Sequence, residues 1–190
     1  MSELPGASEI TDFDADLGSV AWDAARQAEQ GEALMIDLQA RPASPLVAAR
    51  LSQLHLHAGR KDLALQVLSD APAQHGLVRA TRLAVFAALG DVHEVLRGVG
   101  AVPPSRDELD VSEEHEAVAR TLHAQATALW TLHRYPDAAS AARQAASVAA
   151  AAALPRFATV CTLLQEDCLS LQAEASPAER ERVLRTHLES

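Results

Sequence analysis

The sequence predicts an all-α protein built from antiparallel helical hairpins. Apolar residues recur at helical spacing through most of the 190 residues, and glycine or proline punctuates them at hairpin intervals. No stretch alternates with period two, and no turn dipeptide joins β-branched runs. Aromatic residues make up only 3% of the chain, so the helices must pack through Ala, Leu and Val, which suits close apposition. A chain of this size holds one continuous core without disulfides or metals.

Residues 1–16, MSELPGASEITDFDAD, form an acidic arm. They lack the basic-then-apolar order of a signal peptide, and nothing in the chain approaches the ~20 apolar residues that span a bilayer. A cytoplasmic protein without membrane contact is expected. A single domain follows over residues 17–190. Its first part, residues 17–40, carries Leu17, Val20, Ala21, Ala24, Ala28, Leu34 and Leu38 with a break at Gly31, a pattern that fits a degenerate first repeat.

The best-defined hairpin is PLVAARLSQLHLHAGRKDLALQVLSDA, residues 45–71. Val47, Ala48, Leu51, Leu54 and Leu56 predict a helix from Pro45 to Ala58, with Ser44 as its cap and proline in its first turn, where the missing N–H costs nothing. Gly59 permits the left-handed conformation that ends it. Asp62 suits the positive end of the next helix, whose stripe is Leu63, Ala64, Val67, Leu68 and Ala71 before Pro72 stops it.

Residues 76–102 read as a second, poorer hairpin turning at Gly90-Asp91, with Leu83 and Val95 where small residues are expected. Next comes an acidic connector near 103–112, which opens with Pro103-Pro104. The carboxylates Asp107, Glu108, Asp110, Glu113, Glu114 and Glu116 read as solvated, the last of them favouring the start of a helix capped by Ser112. Residues 119–150 repeat the hairpin with Ala126, Ala138 and Ala145 at the small positions and His133 in place of the turn glycine. The alanine run from Ala138 to Ala153 reads as a helix packed between neighbours. After Leu154-Pro155, residues Phe157, Val160, Cys161, Leu164, Cys168 and Leu171 make another amphipathic helix. The capping-box pattern at Ser176–Glu179 opens a last, capping helix with Val183, Leu184 and Leu188.

This layout resembles the tetratricopeptide repeat, a helix-turn-helix unit of roughly 34 residues. Leu51-Ser52 matches the large-small pair of the first helix, Gly59 the turn, and Ala64 and Ala71 the close-packing positions, with Leu68 between them. Tyr135 and Asp137 match the turn tyrosine and the acidic residue of the second helix. Ala48 and His55 depart from the aromatic positions. The resemblance covers about half the chain and implies a right-handed superhelix of stacked hairpins, an α-solenoid, whose concave face is lined by the first helix of each repeat.

Groove-facing positions in that register are Leu46, Ala49, Gln53 and Leu56 from the first hairpin and His123, Thr127 and Trp130 from the later one. Trp130 fits either a binding anchor or packed core. The family's carboxylate-binding members place a Lys and Asn clamp where this chain has Ala49 with Gln53 and His123 with Thr127, so that partner class does not carry over. The expected role is a non-catalytic adaptor or scaffold that binds another protein or a peptide; self-association is equally compatible. Two alternatives stay open. One is a helical sensor or partner subunit of a bacterial transcription-regulatory system, and the other is an enzyme on an all-α scaffold.

A net charge of −10 opposes phosphate-backbone binding, so no direct nucleic-acid contact is expected; Arg180, Arg182 and Arg185 read as a solvated helix face. Lys61 is the sole lysine, which with the abundant alanine suggests a high-GC bacterial genome. Neither a metal nor a cofactor is expected. His55 and His57 point roughly 200° apart on a helix, and His115 and His123 lie about two turns apart, unlike a helical zinc pair. Cys161 and Cys168 are about 10 Å apart along one helix, which forbids a mutual disulfide and predicts buried thiols. Gly98-Val99-Gly100 follows no strand and reads as a helix-ending loop. Neither a phosphate loop nor a nucleophile elbow is present, so no catalytic residue is assigned.

Overall fold

The structure, a computed structural model, describes Trp22 and residues 31–100 and 111–174. The described residues are helical, with no strand among them. The helices are α1 (Gly31–Ala40), α2 (Pro45–His57), α3 (Lys61–Ser69), α4 (Gly76–Leu89), α5 (Val92–Val99), α6 (Val111–Thr131), α7 (Tyr135–Ala151) and α8 (Pro155–Glu174). The extensive contacts join helices that are adjacent in sequence or one apart: α2 packs on α3 and α4, α4 on α5 and α6, and α6 on α7. The predicted C-terminal capping helix, the arm over residues 1–16, and the connector up to Asp110 lie outside the described residues.

Local chemistry accounts for the hairpin at residues 45–71. Ser44 Oγ accepts from the Val47 N–H at 3.1 Å, and Pro45 occupies the first turn of α2. At the far end Gly59 has φ +75°, and the Arg60 N–H reaches back to the His55 carbonyl at 2.8 Å. The same closure recurs with Gly90 (Asp91 N–H to Phe86 O, 2.9 Å), His133 (Arg134 to Leu129, 2.9 Å) and Ala153 (Leu154 to Ala149, 2.9 Å), each in the left-handed region. Left-handed φ is therefore imposed on two residues that carry a Cβ. His133 gains a local bond in return, its Nδ1 lying 2.7 Å from the Tyr135 hydroxyl.

The small positions are where helices touch. Ser52 is fully buried, and its hydroxyl donates to the Ala64 carbonyl at 2.8 Å, so α2 and α3 approach backbone to side chain. Ala126, Ala138 and Ala145 are likewise sealed between α6, α7 and α8. In the second hairpin the large and small partners are exchanged. Leu83 is buried, and Gly98 leaves open the space that its Cδ2 fills. Gly98 therefore sits in the last turn of α5 as a packing residue, rather than in a loop after the helix.

Two helix boundaries and the exposure of two side chains differ from the sequence reading. Helix α3 stops at Ser69, short of Ala71, because the residue before a proline is held out of the α region. Its stripe is also narrower than predicted, with Ala64 and Leu68 fully buried but Leu63 44% exposed. Helix α6 starts at Val111 and includes Ser112 and the acidic run, so the first helix of the third hairpin begins well before residue 119. Glu116 in that run is 1% exposed, not solvated, because it answers a buried arginine on α2.

Candidate functional site

One face of each of four helices borders an open cleft of about 470 Å³. Helix α2 presents Gln53 and Leu56; α4 presents Thr81, Ala84 and Ala88; α6 presents Arg120, His123 and Thr127; α8 presents Arg156, Phe157 and Val160. Most of these positions are three or four residues apart, so each helix offers one face. Trp22 closes one side and Lys61, at the start of α3, another. Apolar wall from Leu56, the alanines, Phe157 and Val160 thus alternates with cationic and hydrogen-bonding groups.

A buried polar network supports this wall. Arg50 on α2 is fully buried and grips Glu116 on α6 with both prongs of its guanidinium, Nη1 to Oε1 at 2.6 Å and Nη2 to Oε2 at 2.8 Å. Such fork-to-fork pairing is the strong form of the charge-assisted hydrogen bond. Arg120 Nε donates to the same Oε1 at 2.6 Å, so one carboxylate serves two guanidinium groups. Gln53 Oε1 accepts from Arg50 at 3.2 Å and from Arg120 at 3.3 Å, while its Nε2 donates to Thr81 Oγ1 at 3.2 Å. Trp22 lies over Arg50 with its ring centroid 5.2 Å from the guanidinium carbon; Phe157 covers Arg120 at 4.6 Å.

The environment moves several titrating groups. Burial lowers the Arg50 pKa, partly offset by Glu116. Burial and the adjacent Arg120 push the His123 imidazole down to about 4, so the ring that packs 5.5 Å from Phe157 is neutral at pH 7. Thr127 spends its hydroxyl proton on the His123 carbonyl at 3.0 Å, which leaves its oxygen as an acceptor. Burial also raises the Cys161 thiol to about 12 and raises Cys168, so neither is a ready nucleophile at neutral pH.

Of the residues expected to face a groove, the cleft brings together Gln53, Leu56, His123 and Thr127. Leu46 and Ala49 do not join them. Both are buried in the core around α2, since that helix is enclosed on nearly every side and its exposed arc is small. Trp130 is 42% exposed near the end of α6 and lies outside the cleft, being one turn past the stripe that ends at Thr127.

Sequence reasoning did not single out Arg50, Glu116, Arg120, Arg156 or Trp22. A signal existed for Arg50, which interrupts the apolar spacing Val47–Leu51–Leu54, and a charge on a buried stripe needs a partner. Glu116 and Arg120 also stand at the i, i+4 spacing of a helical ion pair. Nothing local connects the two signals.

Among the described residues, no three His, Cys, Asp or Glu side chains gather to hold a metal ion, and no helix is long and apolar enough to cross a membrane. The cleft offers apolar surface, neutral imidazole, amide and hydroxyl groups, and fixed positive charge, which are means of binding. Comparison of the chain with models of known families, with curated proteins and with solved structures returns no match.

Proposed function

We propose that this chain is a non-catalytic protein- or peptide-binding module that uses the cleft as its docking surface. The observation that carries the reading is the convergence of one stripe from each of α2, α4, α6 and α8 on a single open cleft. That is the surface a right-handed superhelix of tetratricopeptide-like hairpins would present with its first helices inward. The nearest-neighbour packing, the buried small residues Ser52, Ala64, Ala126, Ala138 and Ala145, and the recurring left-handed turns support the same architecture. The mixed wall suits an extended or helical segment that offers both apolar and polar side chains.

Selection of a random-peptide display library on the full chain tests the reading. Enriched peptides are then titrated against wild type, Leu56→Ser, His123→Ala and Trp130→Ala. Loss of roughly tenfold or more in affinity is expected for the two cleft variants, as for central contacts in other interfaces, with little change for Trp130→Ala. Peptides that bind the cleft variants as well as wild type, or a selection that enriches nothing, would remove the support for this function.

A further inference from the structure

The charges that line the cleft are already answered inside the protein. Lys61 donates from Nζ to the Ala88 carbonyl in the last turn of α4, the negative end of that helix. Arg120 spends Nε on Glu116 and Nη2 on Gln53, and Arg156 and His57 are likewise engaged. Gln53 is itself taken up between the two arginines and Thr81. Ion pairing is therefore not what the cleft has left to offer.

What stays open lies on α6. The His123 ring packs 5.5 Å from Phe157, yet neither of its nitrogens is hydrogen-bonded to a described residue, and neither is sealed from the cleft. Being neutral at pH 7, the imidazole carries one N–H donor and one bare acceptor. Thr127, one turn on, has given its proton to the His123 carbonyl and keeps an acceptor oxygen. At this i, i+4 spacing the two side chains stand about 5–6 Å apart at Cβ. Donor and acceptor thus sit side by side on one helix face, next to the exposed Val160 and the apolar wall of Leu56, Ala84 and Ala88.

One neutral group carries the complementary pair along a single edge. In an extended chain the N–H and C=O of the same residue point to the same side, as they do when two strands exchange both bonds. A helix spends these groups on itself except at its ends. We propose that the cleft takes an extended peptide segment, uncharged at its centre, and reads the backbone of one of its residues. The His123 N–H donates to that residue's carbonyl, the residue's N–H donates to Thr127 Oγ1, and neighbouring apolar side chains rest on Val160 and Leu56. The inference rests on the cleft being the docking surface and adds what that surface recognises.

A peptide selected on the full chain from a random library is resynthesised with each backbone amide in turn replaced by an ester, which removes one N–H without adding bulk. At one position the ester should weaken binding to wild type about five- to tenfold, the worth of one hydrogen bond. That loss should shrink to less than about twofold in Thr127→Val and persist in Thr127→Ser, which keeps the oxygen. His123→Leu should weaken the parent peptide to a similar degree, and His123→Gln, which keeps a donor, should weaken it less. Affinity should change less than about twofold between roughly 0.05 and 0.5 M salt, since no ion pair forms. An ester scan that is flat at every position, or a loss that Thr127→Val leaves unchanged, overturns the proposal. So does binding that depends on an acidic side chain or on an Asn or Gln carboxamide of the peptide. In those cases the cleft remains the docking surface. A selection that enriches nothing, or peptides indifferent to both Leu56→Ser and His123→Leu, removes the docking function and this proposal with it.

Discussion

Arg50 and Glu116, 66 residues apart in the sequence, meet as a two-pronged ion pair with both side chains essentially sealed from water. The pair ties α2 to α6, each of which also packs along α4. Desolvation opposes burying either charge, so the pair holds because both carboxylate oxygens accept charge-assisted hydrogen bonds, with Arg120 as the third member. Removing one partner leaves an uncompensated buried charge. Glu116→Ala is therefore expected to lower unfolding free energy by about 3–5 kcal/mol in urea titrations. Arg50→Met with Glu116→Leu should cost less than the sum of the single changes; strict additivity in that cycle would show that the two side chains are not coupled.

Ala153 adopts φ +57° between α7 and α8, a conformation that glycine takes without a Cβ penalty. Ala153→Gly should raise stability by about 0.5–1 kcal/mol, the relief of left-handed strain of roughly 1–2 kcal/mol exceeding the added freedom of the unfolded chain. Gly59→Ala, at φ +75°, should do the reverse. Thermal melts of the two variants moving in the same direction would contradict this account of the turns.

Gly98 and Leu83 form a complementary pair across α5 and α4. A methyl group at residue 98 would collide with Leu83 Cδ2, and Leu83 is too enclosed to turn aside freely. Gly98→Val should thus destabilise by about 1–3 kcal/mol, as overpacking does, despite leaving glycine in a helix. A Leu83→Ala background should recover part of that loss. Equal destabilisation in both backgrounds would assign the effect to the backbone instead.

His123 makes stability depend on pH in a defined window. Above the ordinary value of 6.5 the imidazole is neutral in both states. Below it the unfolded chain takes up a proton that the folded chain, with a pKa of about 4, does not, so stability declines as pH falls from 6.5 toward 4. His123→Gln should flatten this part of the stability curve relative to wild type, measured by urea midpoints at successive pH values. Parallel curves would mean that His123 is solvated or paired with a negative charge.

Cys161 and Cys168 are both fully buried and free. With its pKa raised to about 12, the Cys161 thiol should not react with an aromatic disulfide reagent at neutral pH except through unfolding, and Cys168 should follow it. Labelling should accelerate with urea in step with the loss of helix signal. A fast phase in native buffer would place one thiol at the surface.

Helix order, the hairpin turns at Gly59 and Gly90, the Ser44 cap and the close contacts at Ser52, Ala64 and Ala126 are all local statements, and local residue patterns determined them. They depend on caps, left-handed tolerance and side-chain size within a few residues of each other. Even the cleft was partly legible, because Gln53, Leu56, His123 and Thr127 follow from helical period once the register is known.

Tertiary structure alone decided the rest. It buried Leu46 and left Trp130 outside the cleft, because the inward arc of a helix depends on how many neighbours enclose it. It also turned Glu116 from one member of an acidic run into the counter-ion of Arg50. A buried charge announces that it needs a partner, but Coulomb attraction acts through space, and which of the chain's 26 carboxylates answers is settled only when α2, α4 and α6 have packed.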